Sequence, residues 1–148
     1  MLKGIDHRLN ADVLCVLRAM GHGDVLVLAD LNFPSYSVSR STVTARVLRM
    51  ENLTSAQAAQ AILSVMPLDT FVEDFAMRME VVGDPAQIPA VQAEVADEIA
   101  RAERRPRPMV PVERFAFYDL ARRAYAVIQT GERRFYGCFM FRKGVIAL

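Results

Sequence analysis

Chemistry near neutral pH calls for a side chain that titrates there, and histidine is the residue whose unperturbed pKa lies closest. The chain has two histidines. His7 falls in a terminal segment without a supporting motif. His22 stands between two glycines in Met20-Gly21-His22-Gly23-Asp24, where small neighbours would let a substrate approach. Asp30 directly follows the unbroken apolar run Val25-Leu26-Val27-Leu28-Ala29. Such a run suits a strand covered on both faces, and the carboxyl ends of these strands usually present ligand sites. Asn32, Tyr118 and Tyr136 are available for recognising hydroxyl groups. Together these residue types suit acid–base chemistry on a hydroxylated substrate. His22 precedes the strand and Asp30 follows it, so they can share a site only if the fold or a neighbouring subunit joins them.

Other chemistries fit poorly. Zinc sites need Cys/His pairs at characteristic spacing, which His7, His22, Cys15 and Cys138 do not form. Gly21-His22-Gly23 lacks a Walker lysine or a dinucleotide fingerprint, and it precedes a strand where those motifs follow one. No serine or cysteine carries a local nucleophile signature. A net charge of +1 gives no field for nucleic acid or an anionic membrane. Arg104-Arg105-Pro106-Arg107-Pro108 reads as a solvated basic helix end before a proline-stiffened loop. No apolar run approaches the ~18 residues of a membrane-spanning helix. Two cysteines are too few for a disulfide scaffold, and the N-terminus lacks the order of a signal peptide. A cytoplasmic setting is expected.

The elements that must position these residues alternate along the chain. Asn10 caps a helix from about Ala11 to Met20, with Val13, Leu14, Leu17 and Met20 facing a core. Cys15 lies within that apolar pattern and reads as a small core residue. Gly21 stops the helix. Residues 35–42 are rich in hydroxyls and read as a surface loop, and Ala45–Leu48 as a short strand. Thr54 and Gln57 have capping-box spacing, opening a helix that ends at Pro67. Phe75–Val82 alternates as a strand with Met77, Met79 and Val81 on one face. A helix over about Pro89–Arg104, a strand at Met109–Val112, a helix from Arg114 to about Ala124, and strands at Tyr125–Gln129 and Tyr136–Arg142 complete the series. The alternation predicts a single α/β domain over 1–148, three-layered, with helices packed on a central, mostly parallel sheet.

Several of these segments, taken together, resemble the L-fucose mutarotase branch of the ribose pyranase/fucose mutarotase family. They are Met20-Gly21-His22-Gly23-Asp24, Ala29-Asp30-Leu31-Asn32-Phe33-Pro34, Met66-Pro67-Leu68-Asp69-Thr70, Glu113-Arg114-Phe115-Ala116-Phe117-Tyr118, Thr130-Gly131-Glu132, Tyr136-Gly137 and Lys143-Gly144-Val145. The resemblance implies cofactor-independent interconversion of the α and β anomers of a free monosaccharide by ring opening and closure. It casts His22 as the catalytic acid/base and Asp30 as a sugar-hydroxyl ligand, with Arg114 and Tyr136 as further substrate-binding residues. Tyr118 and Met79 match positions that line the sugar pocket.

One position departs from the pattern. The family's terminal motif usually carries asparagine where this chain has Cys138, and a thiol is a weak substitute for an amide's donors and acceptor. That departure keeps open a second expectation, a non-catalytic sugar-binding or transport-accessory protein of the same fold. The resemblance further implies a ring-shaped homo-oligomer, a pentamer or a decamer of stacked pentamers. Sites would then lie near subunit contacts, where Tyr136 could serve a site containing His22 from another copy.

Overall fold

The computed structural model describes residues 2–146. Six strands form one sheet: β1 (Val25–Ala29), β2 (Val47–Met50), β3 (Ala76–Met79), β4 (Val110–Val112), β5 (Ala126–Thr130) and β6 (Phe139–Arg142). Their order is β2-β5-β1-β6-β3-β4. β1 runs parallel to β5, as do β2 to β5 and β3 to β4, while β6 is antiparallel to both its neighbours. Every strand except β6 therefore points the same way, in a mixed sheet within a single α/β domain.

Alternation along each strand divides the core into two layers. Leu26, Leu28, Ala126, Ile128, Phe139 and Phe141 project to one face. There they meet α1 (Ala11–Ala19), α3 (Ser55–Leu63) and α4 (Ala90–Ala102). Val27, Ala29, Met77, Met79, Val127 and Met140 project to the other, under α2 (Ser35–Ser39) and α5 (Arg114–Ala121). Both faces of β1 are covered, as its unbroken apolar run requires. No helix among the described residues is long and apolar enough to cross a membrane.

The capping signals are realised as read. Asn10 accepts from the Val13 N–H, and Thr54 and Gln57 form a reciprocal capping box. Several expectations need correction. Within the hydroxyl-rich stretch, Ser35–Ser39 form helix α2 rather than a loop, while residues 40–42 turn as expected. Ser37 and Ser39 donate back to the carbonyls of Pro34 and Tyr36, which satisfies these polar groups locally, and Val38 anchors the helix in the core. Cys15 is exposed, because Val13, Val16 and Leu17 carry the buried stripe of α1 and Cys15 falls outside it. Strand β2 begins at Val47, after Ala45 has turned through a positive φ of 50°. Strand β3 stops at Met79, and β6 starts only at Phe139. Tyr136 thus lies in a loop and not on a strand.

Candidate active site

A cleft of about 340 Å³ opens at the carboxyl end of β1, on the face covered by α2 and α5. It lies within the range typical of small-ligand pockets. Asp30, Met79, Arg114, Tyr118, Tyr136 and Cys138 all line it, joined by Asn32, Phe33 and Phe135. Six of the seven residues expected to act on substrate are brought together within one chain. His22 is not among them. It stands at the opposite end of β1, whose five residues span about 17 Å.

Asp30 is buried at the floor of the cleft. Its Oδ1 accepts the backbone N–H groups of Asn32 (2.9 Å) and Phe33 (3.0 Å), and Oδ2 accepts that of Gly137 (3.2 Å). The Cys138 thiol, itself buried, lies beside this carboxylate and favours its charged form. Burial pushes the Asp30 carboxyl above its ordinary value, and these hydrogen bonds offset the shift only in part. Cys138 therefore lines the cleft next to Asp30. Burial and the neighbouring Asp30 charge hold the thiol protonated, well above its usual range.

Arg114 opens α5, where Glu113 caps the helix by accepting from the N–H groups of Phe115 and Ala116. A cation at a helix N-terminus faces the positive end of the macrodipole. The guanidinium stacks on the Phe115 ring, 4.7 Å from its centroid. An arginine in this unfavourable place is suited to a polar ligand in the cleft. Tyr118 packs edge-on against Phe33, with ring centroids 5.5 Å apart, and completes an apolar wall beside these polar groups.

The loop carrying Tyr136 is built around Glu132, whose side chain is almost fully buried. Glu132 accepts from the backbone N–H groups of Arg133 and Arg134 and from the Arg134 guanidinium. It also accepts from Ser55 at the N-terminus of α3. Gly137 fits because a Cβ there would stand 2.8 Å from Glu132 Cγ and 3.3 Å from Asp30 Cβ. The Arg134 contacts lower the Glu132 carboxyl from 4.5 to about 2. A depressed carboxyl contributes stability that is present above its unfolded pKa and lost as pH falls through the folded one. Allowing for the half-exposed Arg134, we expect Glu132 to contribute ~1–2 kcal/mol. Thermal unfolding followed from pH 7 to pH 3 should show a steepening loss below about pH 4.5, and Glu132→Gln should flatten that part of the curve.

His22 is held with similar care. Its Nε2 lies 3.0 Å from Asp69 Oδ2, and Asp69 is buried while the imidazole is about half exposed. A carboxylate can only accept, so Nε2–H donates, and in the neutral ring Nδ1 is the nitrogen that carries no proton. The end of β6 fixes both partners. The Gly23 N–H donates to the Lys143 carbonyl, the Asp69 N–H donates to the Arg142 carbonyl, and Lys143 Nζ donates to the carbonyls ending α1. Asp69 carries no local signal that marks it as a partner of His22, because 47 positions separate the two. Asp69→Asn should lower kcat for His22-dependent chemistry ~10-fold with KM little changed, read in steady-state exchange rates. Among the described residues, no three His, Cys, Asp or Glu side chains are grouped to hold a metal.

Comparison with known proteins places this geometry in context. Residues 3–146 match the model of the RbsD / FucU transport protein family. The chain is 41% identical to the fucose mutarotase of Homo sapiens, covering 99% of this chain and 96% of that one. The crystal structure of a fucose mutarotase in complex with L-fucose, from Streptococcus pneumoniae, superposes with a TM-score of 0.87 at 32% identity, covering 99% of this chain and all of that one. The crystal structure of protein Atu2016, a proposed sugar binding protein, gives a TM-score of 0.97 at 58% identity, over 99% and 97% of the two chains.

Proposed function

This chain belongs to the RbsD / FucU transport protein family, and from that premise we propose that it is a mutarotase interconverting the α and β anomers of L-fucose. The observation that carries the reading is the convergence of Asp30, Arg114, Tyr118 and Tyr136 on one small cleft. A buried carboxylate, a guanidinium and two phenols beside an apolar wall suit a sugar, which has hydroxyls at its rim and C–H groups on its ring faces.

Ring opening removes the proton of the anomeric hydroxyl and breaks the bond from C1 to the ring oxygen. The electron pair passes to that oxygen, which takes up a proton. Rotation about C1–C2 in the open aldehyde presents the other carbonyl face, and closure reverses both proton movements. No oxidant, reductant or cofactor is consumed. One group that gives and takes protons near neutral pH can serve both directions, contributing ~10²–10⁴-fold. Among the described residues, no histidine lines the cleft of a single chain. We assign the role to His22 of a second copy, which makes self-association, into a ring or stacked rings, part of the mechanism. In that arrangement Asp69 fixes the orientation of the His22 ring through Nε2, while Asp30, Arg114 and Tyr136 hold the sugar. Cys138 acts through Asp30. The same reading places the protein in the cytoplasm, where an exposed thiol such as Cys15 persists.

Saturation-exchange NMR between the two anomer signals of L-fucose tests the activity directly. Acceleration by the assembled protein is the expected result. Saturable binding without exchange would replace this reading with a sugar-binding or transport-accessory role, and neither binding nor exchange would remove both.

A further inference from the structure

Behind the sheet, on the face away from the cleft, α4 presents Gln92 with no exposed surface. Its Nε2 donates to the carbonyl of Met79 at 2.7 Å and to the carbonyl of Tyr136 at 3.0 Å. Its Oε1 accepts from Arg78 Nη1 at 3.0 Å. A guanidinium can only donate, so Arg78 forces the amide oxygen toward itself and both amide hydrogens toward the two carbonyls. The amide has one orientation available. Met79 and Tyr136 both line the cleft.

Tyr136 has particular need of this support. Its φ of 62° lies in the left-handed region, which is unfavourable for a residue with a Cβ and persists only where its surroundings hold it. The Gln92 donor holds its carbonyl, and the next N–H, of Gly137, is held by Asp30. Arg78 is itself buried, and among the described residues no carboxylate lies within ion-pair distance of it, Glu80 acting only from farther off. The guanidinium donates to the carbonyls of Pro85 and Gln87, fastening the segment whose Val82 N–H lies 3.3 Å from the Tyr136 hydroxyl oxygen. That oxygen therefore accepts from Val82, which leaves its own proton for a ligand.

We propose that Gln92, oriented by Arg78, is a positioning residue that fixes Tyr136 and Met79 for sugar binding from behind the sheet. The proposal rests on the mutarotase reading for its kinetic consequence, though not for its structural one. Gln92→Glu keeps the contact with Arg78 and removes both donors. It should raise KM for L-fucose ~10-fold, equivalent to ~1.4 kcal/mol, with kcat within about threefold of the native value. Arg78→Met, which frees the amide to turn over, should shift KM in the same direction, and Arg78→Lys should recover most of the loss.

An independent readout uses the ring carbons of the four tyrosines. In sugar-free protein, with the Tyr136 signal assigned by Tyr136→Phe, that signal should move in Gln92→Glu and in Arg78→Met. If Gln92→Glu does not fold, Arg78→Met carries both measurements. A folded variant with native KM and an unmoved Tyr136 signal would overturn the proposal. Absence of exchange in the native protein would instead overturn the mutarotase reading, and the tyrosine signal would still decide the positioning role.

Discussion

Replacing His22 with alanine is expected to slow L-fucose anomer exchange by ~10²–10⁴-fold, with sugar affinity close to native. The imidazole touches nothing in its own chain's cleft and is about half exposed, so little packing is lost. Mixing makes the result sharper. A chain carrying His22→Ala has an intact cleft, and one carrying Asp30→Asn has an intact His22. The first alone should be nearly inactive, and the second reduced ~10–100-fold. Co-assembled in equal amounts, they should regain exchange in about a quarter of the clefts, those where an intact cleft receives an intact histidine from its neighbour. A site complete within one chain would recover nothing on mixing. That single outcome would remove His22 of a second copy from the mechanism.

Asp30→Asn is the second large effect, and it separates activity from stability. Loss of a charged acceptor for a sugar hydroxyl should reduce kcat/KM ~10–100-fold. Stability should change little. The folded carboxyl is raised by burial, so its contribution to folding is favourable below the unfolded pKa and lost as pH rises through the folded one. At neutral pH the ionised group opposes folding, and an amide relieves that. Asn at position 30 keeps an oxygen for the N–H groups of Asn32 and Phe33 and gives up only the Gly137 bond. A Tm within about 3 °C of native is expected. A much larger drop would show the carboxylate to be structural rather than functional.

Much of the scaffold was legible in the residues because its signals are local. The apolar run of β1, the Asn10 cap and the Thr54/Gln57 box each need only a few neighbouring positions. The cleft was legible too, but through motif resemblance. Nothing in spacing alone joins Asp30 to Tyr136 and Arg114 across most of the chain. Helix α2 was not legible, since serines and threonines that look like loop solvation can instead bond to carbonyls three residues back. Tyr136 was expected on a strand because the apolar pattern of β6 continues into it. Its backbone is left-handed, and its carbonyl accepts from Gln92, 44 positions away. The same holds for Asp69 beside His22. Contacts of that range belong to the tertiary structure, and local pattern carries no trace of them.

His22 and Asp30 stand at the two ends of one five-residue strand. On the proposed mechanism each copy is at once a donor and an acceptor, through two different surfaces. A closed assembly fills every cleft, whether a reciprocal pair or a ring, but an open row always leaves one cleft empty at its end. Activity per chain then becomes a measure of closure. It should fall on dilution along with assembly, even while each individual chain remains folded.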